Sequence, residues 1–128
     1  MSLKVSMFEG MGRGVEAMTA IKADSIIAVC ELLVLSQDDT VKVNQTDLQY
    51  YTFKYNELQD CLVLGLGEIF NHSDMPNTRY EIKGIDGRDM MVFTTLRDIE
   101  AGEQLFTDYN ADVKVNMYDY IKCNSMIG

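Results

Sequence analysis

The chain has 128 residues, 47% of them hydrophobic, and a formal net charge of −9. This length predicts a single domain, residues 1–128, with one sizeable core. The acidic balance disfavours direct binding to nucleic acid, and no apolar run approaches the ~20 residues that a membrane span needs. The first residues lack the apolar core of a signal peptide, so we expect a cytoplasmic protein.

Short β-type segments separated by Gly and Asp turns predict a mainly β fold with little helix. The first segment, residues 3–8, leads into Gly12-Arg13-Gly14. Residues 26–35 are almost continuously apolar, which is typical of a strand buried on both faces. Residues 38–44 are polar, and we interpret them as a connection.

Further along the chain, five segments have the apolar, β-branched or aromatic content of strands: residues 50–55, 61–66, 78–83, 90–96 and 103–107. Gly84-Ile85-Asp86-Gly87 is a hairpin signal between the third and fourth of them. Residues 98–102 predict a turn before the fifth. The best places for helix are a short turn near residues 68–71 and part of the tail after Asp112.

Residues 20–26 and 98–104 show a weak internal similarity. Each segment places an Ile, a polar residue, an Ala and a turn residue before a strand. Asp24 stands in the first segment where the second has Gly102. Gly adopts a positive φ freely and Asp tolerates it, so both residues fit a tight turn.

The three cysteines, Cys30, Cys61 and Cys123, are far apart and none lies in a CxxC pair. With only one histidine in the chain, this pattern argues against a zinc site. We therefore expect no metal, and we interpret the cysteines as buried reduced thiols.

Two motifs are candidate functional segments, although each has a simpler interpretation. Gly12-Arg13-Gly14 lets a ligand approach the backbone closely, but a hairpin or bulge explains it more simply. Asn71-His72-Ser73 contains the only histidine, and a lone histidine in a turn is more often a structural group than a catalyst.

Aromatic residues offer a second kind of site. The chain has no tryptophan, and its tyrosines are Tyr50, Tyr51, Tyr55, Tyr80, Tyr109, Tyr118 and Tyr120. Any one of them is best interpreted as core. A cluster of them would suit an aromatic channel for an alkylammonium group.

Taken in order, three motifs resemble those of the SET domain, the protein-lysine methyltransferase module. They are Gly12-Arg13-Gly14, then Asn71-His72-Ser73 with Pro76-Asn77, and finally a turn followed by Glu103-Gln104-Leu105-Phe106-Thr107-Asp108-Tyr109, which has one residue more between Glu and Leu. The resemblance covers about residues 4–110. It implies a minimal viral or bacterial form with a β-clip-like fold of several small sheets, a knot-like C-terminal segment, and a tail, residues 111–128, that closes the lysine channel.

The resemblance also implies a site. S-adenosylmethionine would bind on one side of the domain and the substrate lysine on the other, with a narrow channel between them and S-adenosylhomocysteine as product. The Gly12–Gly14 backbone and Asn71 would hold the methionine end, and the His72 backbone would contact adenine. The full set of expected cofactor contacts is Met11, Gly12, Arg13, Gly14, Phe70, Asn71, His72 and Tyr109.

Three tyrosines, Tyr109, Tyr51 and Tyr80, are the expected catalytic channel residues. Tyr80 matches a position that narrows the lysine pocket in some members of the family, which predicts mono- or dimethylation. The tail after Tyr109 would close the channel without zinc.

The implied function is S-adenosylmethionine-dependent methylation of a lysine in a basic protein, such as a histone-like protein. The acidic surface would steer a basic partner to the site. No nucleic acid or membrane partner is expected, and a homodimer is one option for the assembly. The alternative is a SET fold without catalysis that serves as a binding or scaffold module for basic partners.

Overall fold

The structure is a computed structural model that describes residues 2–109. Its strands are β1 Leu3–Phe8, β2 Gly12–Ala17, β3 Ile26–Val34, β4 Thr52–Lys54, β5 Asp60–Val63, β6 Asn71–His72, β7 Thr78–Ile85, β8 Arg88–Thr95 and β9 Gln104–Thr107. One α-helix, α1, spans Gln37–Val43, and two 3₁₀ helices span Asp47–Tyr51 and Gly65–Glu68. The prediction of a mainly β fold with several small sheets and little helix is confirmed. No helix among the described residues is long and apolar enough to cross a membrane.

The chain divides into two compact units. The first unit contains residues 2–31 and 65–108 of the described chain, and the second contains residues 32–64 together with Tyr109. The predicted tail, the knot-like C-terminal segment and Cys123 lie outside the described residues.

A four-stranded sheet in the first unit has the order β1-β2-β9-β6. β2 runs antiparallel to both β1 and β9, whereas β6 pairs in parallel with β9. The parallel pair brings Asn71 beside Phe106 and His72 beside Thr107, although these segments are far apart in sequence. This sheet therefore brings the glycine segment and the Asn71-His72 segment to opposite sides of the same strand, β9.

The β7–β8 hairpin has the two-residue turn that its sequence predicts. Ile85 pairs with Arg88, so Asp86 and Gly87 alone form the turn, with φ values of 52° and 78°. Two consecutive positive φ angles are the geometry of a type I′ turn, which favours Asp-Gly.

β3 is a strand, as predicted, but it is not buried on both faces. Residues 26–31 pair with β8 within the first unit, and residues 32–34 pair with β5 within the second. Cys30 is its one buried residue, and Ile26 and Leu33 are about half exposed, at 53% and 51%. The prediction was wrong because β-branched and apolar residues also favour strand pairing itself, whether or not both faces are covered.

Helix α1 replaces the polar connection that the sequence predicted for residues 38–44. The Ser36 side chain caps its start by accepting a hydrogen bond from the Asp39 N–H at 3.1 Å. Acidic residues lie in the first turn and Lys42 in the last, so both charges match the helix dipole. The prediction failed because a two-turn helix shows too little periodicity to be recognised.

Two other predicted elements are shifted. The aromatic strand candidate at residues 50–55 begins as the 3₁₀ helix Asp47–Tyr51, and the strand itself starts at Thr52. The turn predicted near residues 68–71 is the earlier 3₁₀ helix Gly65–Glu68, while Asn71 already belongs to a strand.

The core of the first unit is built on Phe93, which is fully buried. The Phe70 ring stacks on Phe93 with centroids 4.7 Å apart, and the Tyr80 ring packs against Phe93 at 5.9 Å. Cys30 and Cys61 are buried thiols, as predicted for these two, and burial raises the pKa of Cys30. A raised pKa keeps that thiol protonated and unreactive.

The two similar sequence segments lie against each other. Ile21 and Ile99 form an antiparallel bridge, with Ile21 N–H donating to the Ile99 carbonyl at 2.9 Å and Ile99 N–H donating to the Ile21 carbonyl at 2.7 Å. The two segments are therefore similar in sequence and also paired in the structure.

The turn of each segment completes this arrangement in the same way. The Asp24 N–H donates to the Thr95 carbonyl at 3.0 Å, and the Gly102 N–H donates to the Ala17 carbonyl at 2.7 Å. Asp24 and Gly102 have φ values of 60° and 86°, which confirms the predicted tight turns.

Candidate functional site

The first glycine motif lies at the β1–β2 hairpin. Gly12 has a φ of 77°, which is strained for any residue with a side chain. Met11 and Arg13 on either side of it are exposed. The simpler interpretation of the motif, a hairpin, is correct, and the hairpin presents a bare stretch of backbone.

Gly14 is packed against three side chains from other strands. An ideal Cβ at this position would lie 2.5 Å from Gln104 Oε1, 2.7 Å from Asn71 Nδ2 and 2.9 Å from Phe8 Cδ2. Non-bonded atoms do not approach a Cβ so closely, so any larger residue here would force the Gln104, Asn71 and Phe8 side chains to move. The missing side chain lets two polar amides lie directly on the β2 backbone.

Asn71 is held by its amide nitrogen. Nδ2 donates to the Arg13 carbonyl at 3.0 Å and to Gln104 Oε1 at 2.8 Å. Both amide hydrogens are thereby used. The Oδ1 atom accepts no hydrogen bond from the described residues, so it is available as an acceptor beside the glycine backbone.

His72 has its imidazole between two carboxylates. Nε2 lies 3.0 Å from Asp74 Oδ1, and Nδ1 lies 3.8 Å from Asp108 Oδ1. Ligand atoms of these three residues lie within 4.8 Å of one another. The two carboxylates face different ring nitrogens, however, and a histidine gives a metal ion only one nitrogen. This geometry favours an anchored imidazole over a metal centre.

Asn77 fixes the strand that carries Gln104. It is 2% exposed, its Nδ2 donates to the Gln104 carbonyl at 2.9 Å, and its Oδ1 accepts from the Phe106 N–H at 2.8 Å. The same Nδ2 lies 3.3 Å from Glu103 Oε2. The Arg97 guanidinium donates to this carboxylate and holds the pKa of Glu103 at about 2.

Phe70, a predicted cofactor contact, has its ring in the core. It is 2% exposed and stacks on Phe93. Its side chain therefore serves packing, and its predicted contact with the cofactor stays a prediction.

The structure places the three predicted tyrosines in different environments. The Tyr80 hydroxyl donates to the Asp108 carbonyl at 3.4 Å, within the first unit. Tyr51 is 50% exposed at the end of a 3₁₀ helix in the second unit. Tyr109 is the last described residue and is grouped with the second unit. Their arrangement as one channel stays a prediction.

Around Gly14, the site in the first unit combines exposed backbone with one amide oxygen that has no partner among the described residues. The space beside Gly12 is open, the space beside Gly14 is filled by the Asn71, Gln104 and Phe8 side chains, and the Asn71 oxygen is an acceptor next to this backbone. Gln104 belongs to the same cluster, but the sequence singled it out only as an extra residue in the closing motif. The sequence signal that could have pointed to Gln104 is its position directly after Glu103, at the start of the strand that follows the predicted turn.

Comparison with known families identifies one match. The SET domain family matches residues 12–110 of this chain. That range contains all three motifs on which the resemblance rests.

Relatives with similar sequences are histone-lysine N-methyltransferases. One from Schizosaccharomyces pombe, described as H3 lysine-37 specific, is 33% identical over 108 residues, which is 84% of this chain and 72% of that protein. One from Neurospora crassa, described as H3 lysine-4 specific, is 36% identical over 59 residues. Those residues are 46% of this chain and only 4% of that protein.

Solved structures share the fold. One from Plasmodium falciparum has a TM-score of 0.72 and covers 85% of this chain and 93% of its own, at 23% identity, which shows the fold alone. The Polycomb Repressive Complex 2 of Chaetomium thermophilum, bound to S-adenosylmethionine, has a TM-score of 0.69 at 26% identity. The match covers 86% of this chain and 15% of that one.

Proposed function

The chain belongs to the SET-domain family, and from this we propose that it is an S-adenosylmethionine-dependent protein-lysine N-methyltransferase. The observation that carries the proposal is the Asn71 amide. Its two hydrogens bond within the protein, so its oxygen stands beside the Gly12–Gly14 backbone as an acceptor. An acceptor at this place suits the ammonium of the cofactor's amino-acid end.

The proposed binding residues are those that the family motifs indicate. The Gly12–Gly14 backbone holds the amino-acid end, Asn71 accepts from its ammonium, and the His72 backbone contacts adenine. The imidazole of His72 is engaged by Asp74 and Asp108, so we assign it an anchoring role and no proton transfer.

Bound S-adenosylmethionine supplies a methyl group on a positively charged sulfur. The chain must supply a channel in which the lysine amine is neutral and aligned. A lysine with a pKa near 10.4 is mostly protonated at neutral pH, and an aromatic, water-poor channel favours its neutral form. We propose that Tyr109, Tyr51 and Tyr80 line this channel, that the Tyr109 hydroxyl orients the amine, and that the proton leaves to water.

The proposed substrate is a lysine in a basic protein, with histones the first to test. The net charge of −9 supports this choice because it attracts a basic partner. The two relatives named above are described as specific for lysines of H3. This chain spans only a small part of the second relative. The substrate of this chain is therefore proposed here and is not taken over from that relative.

The test is incubation of the protein with methyl-labelled cofactor and a panel of basic proteins, with Tyr109→Phe as the key variant. We expect Tyr109→Phe to lower the rate by about 10²-fold and to affect cofactor binding by calorimetry much less, because the aromatic ring of residue 109 remains. Tyr50→Phe, in the second unit and 46% exposed, is the matched control and should keep full activity. Equal rates for wild type and Tyr109→Phe would remove the proposed role of Tyr109.

The same experiment addresses the alternative function. A protein that binds no S-adenosylmethionine and transfers no label would be a scaffold and not an enzyme. Mass spectrometry of the product tests the pocket, since the narrowing assigned to Tyr80 predicts mono- and dimethyl-lysine. A mainly trimethyl product would contradict that assignment.

A further inference from the structure

Gln104 covers the glycine segment from the β9 side. It pairs with Glu16 across the β2–β9 ladder. An ideal Cβ on Gly14 would lie only 2.5 Å from Gln104 Oε1. Its backbone carbonyl accepts a hydrogen bond from Asn77 Nδ2 at 2.9 Å. The side chain is therefore held over Gly14 by a fixed strand and by the absence of a side chain beneath it.

The direction of the Asn71 amide follows from its partners. A backbone carbonyl can only accept, so the group that faces the Arg13 carbonyl at 3.0 Å must be the amide nitrogen of Asn71. The second hydrogen of that nitrogen points to Gln104, which must present its oxygen, at 2.8 Å. With both hydrogens bound, the Asn71 oxygen is turned away from these two partners.

A single hydrogen-bond acceptor would hold the Asn71 amide only weakly in this orientation. Without an acceptor at position 104, rotation of the Asn71 amide would break a single hydrogen bond, the one to the Arg13 carbonyl. With both acceptors present, the same rotation breaks two hydrogen bonds and sets the Asn71 oxygen against the Arg13 carbonyl oxygen, and Gln104 must turn its own amide before it can bond to Asn71 again. Gln104 therefore strengthens the direction that the Arg13 carbonyl sets, in which the site presents an acceptor to its ligand.

We propose that Gln104 is a positioning residue that locks the Asn71 amide with its oxygen toward the ammonium group of the cofactor's amino-acid end. The inference rests on the proposed function for the identity of the ligand. Beyond the proposed function, Gln104 gains a role in ligand specificity that it exerts through Asn71, without touching the ligand itself.

The experiment measures binding of two ligands by calorimetry. S-adenosylhomocysteine carries the ammonium group, whereas 5′-methylthioadenosine has the adenosine part and lacks the amino-acid end. Gln104→Leu should weaken S-adenosylhomocysteine about tenfold, the effect of one misdirected hydrogen bond to a charged group. It should change 5′-methylthioadenosine less than about twofold, because adenosine contacts do not depend on Asn71.

Two further variants complete the set. Gln104→Glu keeps acceptor oxygens at the same place, so it should bind S-adenosylhomocysteine as well as the wild type does. Gln45→Leu, at an exposed position in the second unit, is the matched control and should change neither ligand. Equal losses for both ligands in Gln104→Leu, no loss at all, or a loss in Gln104→Glu would each overturn the proposal.

A second readout needs no ligand. In ¹⁵N-labelled protein the side-chain amide protons of Asn71, assigned by their loss in Asn71→Asp, should shift in Gln104→Leu and stay near wild-type positions in Gln104→Glu. Unmoved resonances in Gln104→Leu would overturn the positioning role. A wild-type protein that fails to bind S-adenosylhomocysteine would instead remove the proposed function, so the two failures are distinguishable.

Discussion

Gly14 shows how one missing side chain shapes the site. Asn71, Gln104 and Phe8 all approach the space that its Cβ would occupy. The flexible side chains of Asn71 and Gln104 cannot both move aside without giving up the hydrogen bond between them. The requirement for glycine here comes from packing, since Gly14 shows no positive φ, whereas at Gly12 it comes from φ.

Gly14→Ala should therefore damage both stability and binding. We expect a loss of about 1–3 kcal/mol in the free energy of unfolding, as for other overpacked sites, together with weaker binding of S-adenosylhomocysteine. Urea unfolding and calorimetry measure the two effects. Gly84→Ala is the matched control, because its nearest heavy atom, Asp89 Oδ1, lies 3.9 Å away; an equal loss in both variants would contradict the packing argument.

Glu103 gives a prediction for pH. The Arg97 side chain, the Glu100 N–H and Asn77 lower the pKa of Glu103 from its ordinary 4.5 to about 2. A lowered carboxyl pKa adds stability that is present above pH 4.5 and is lost as the pH falls toward 2. Because Arg97 is about half exposed, we expect a contribution of only about 1 kcal/mol.

Comparing wild type with Glu103→Gln by urea unfolding from pH 2 to pH 7 tests this contribution. The wild type should be the more stable above pH 4.5, and the difference should shrink as the solution is acidified. A constant difference across this range would show that the Arg97–Glu103 pair does not act through charge.

At the scale of elements, the strands with strong local signals were predictable. β1 and the β7–β8 hairpin carry their own pattern, apolar segments bounded by Gly or Asp-Gly, and they form where the sequence indicates. Helix α1 carries its main signal in a cap, Ser36 followed three residues later by Asp39. Such a signal is short and easily missed when the helix has only two turns.

Ser36→Ala should destabilise the protein by about 1 kcal/mol, since the N–H of Asp39 would lose its partner. Thermal or urea unfolding measures the change. Ser36→Asp keeps an acceptor at the cap and should stay within a few tenths of a kcal/mol of the wild type. If the two variants lose equal stability, the side chain of Ser36 does not cap the helix.

The site itself was only partly predictable from the sequence. The glycines and Asn71 stand in recognisable motifs, but the role of Gln104 depends on the register between β2 and β9 and on the parallel pairing of β6. Both are long-range facts that no local pattern contains. Phe70 lies just before β6 and beside Asn71 in sequence, yet its ring packs into the core on Phe93.

At the scale of the whole molecule, the net charge of −9 gives a prediction about salt. If a basic protein is the substrate, its KM should rise several-fold between low and about 0.3 M salt, because salt screens the attraction. Binding of S-adenosylhomocysteine, which has no net charge, serves as the control and should change little. A KM that is independent of salt would mean that the acidic surface does not guide the substrate.

The bridge between Ile21 and Ile99 has a consequence for the order of folding. It joins two parts of the first unit that are separated in the chain by the whole of residues 32–64. A large loop must close before these hydrogen bonds form, and β9, with Gln104, directly follows the second partner. A ligand of this site should therefore slow unfolding without accelerating folding. The amides of Ile21 and Ile99 should exchange with solvent at the same free energy, that of global unfolding, in native-state hydrogen exchange; unequal values would show that this closure opens in parts.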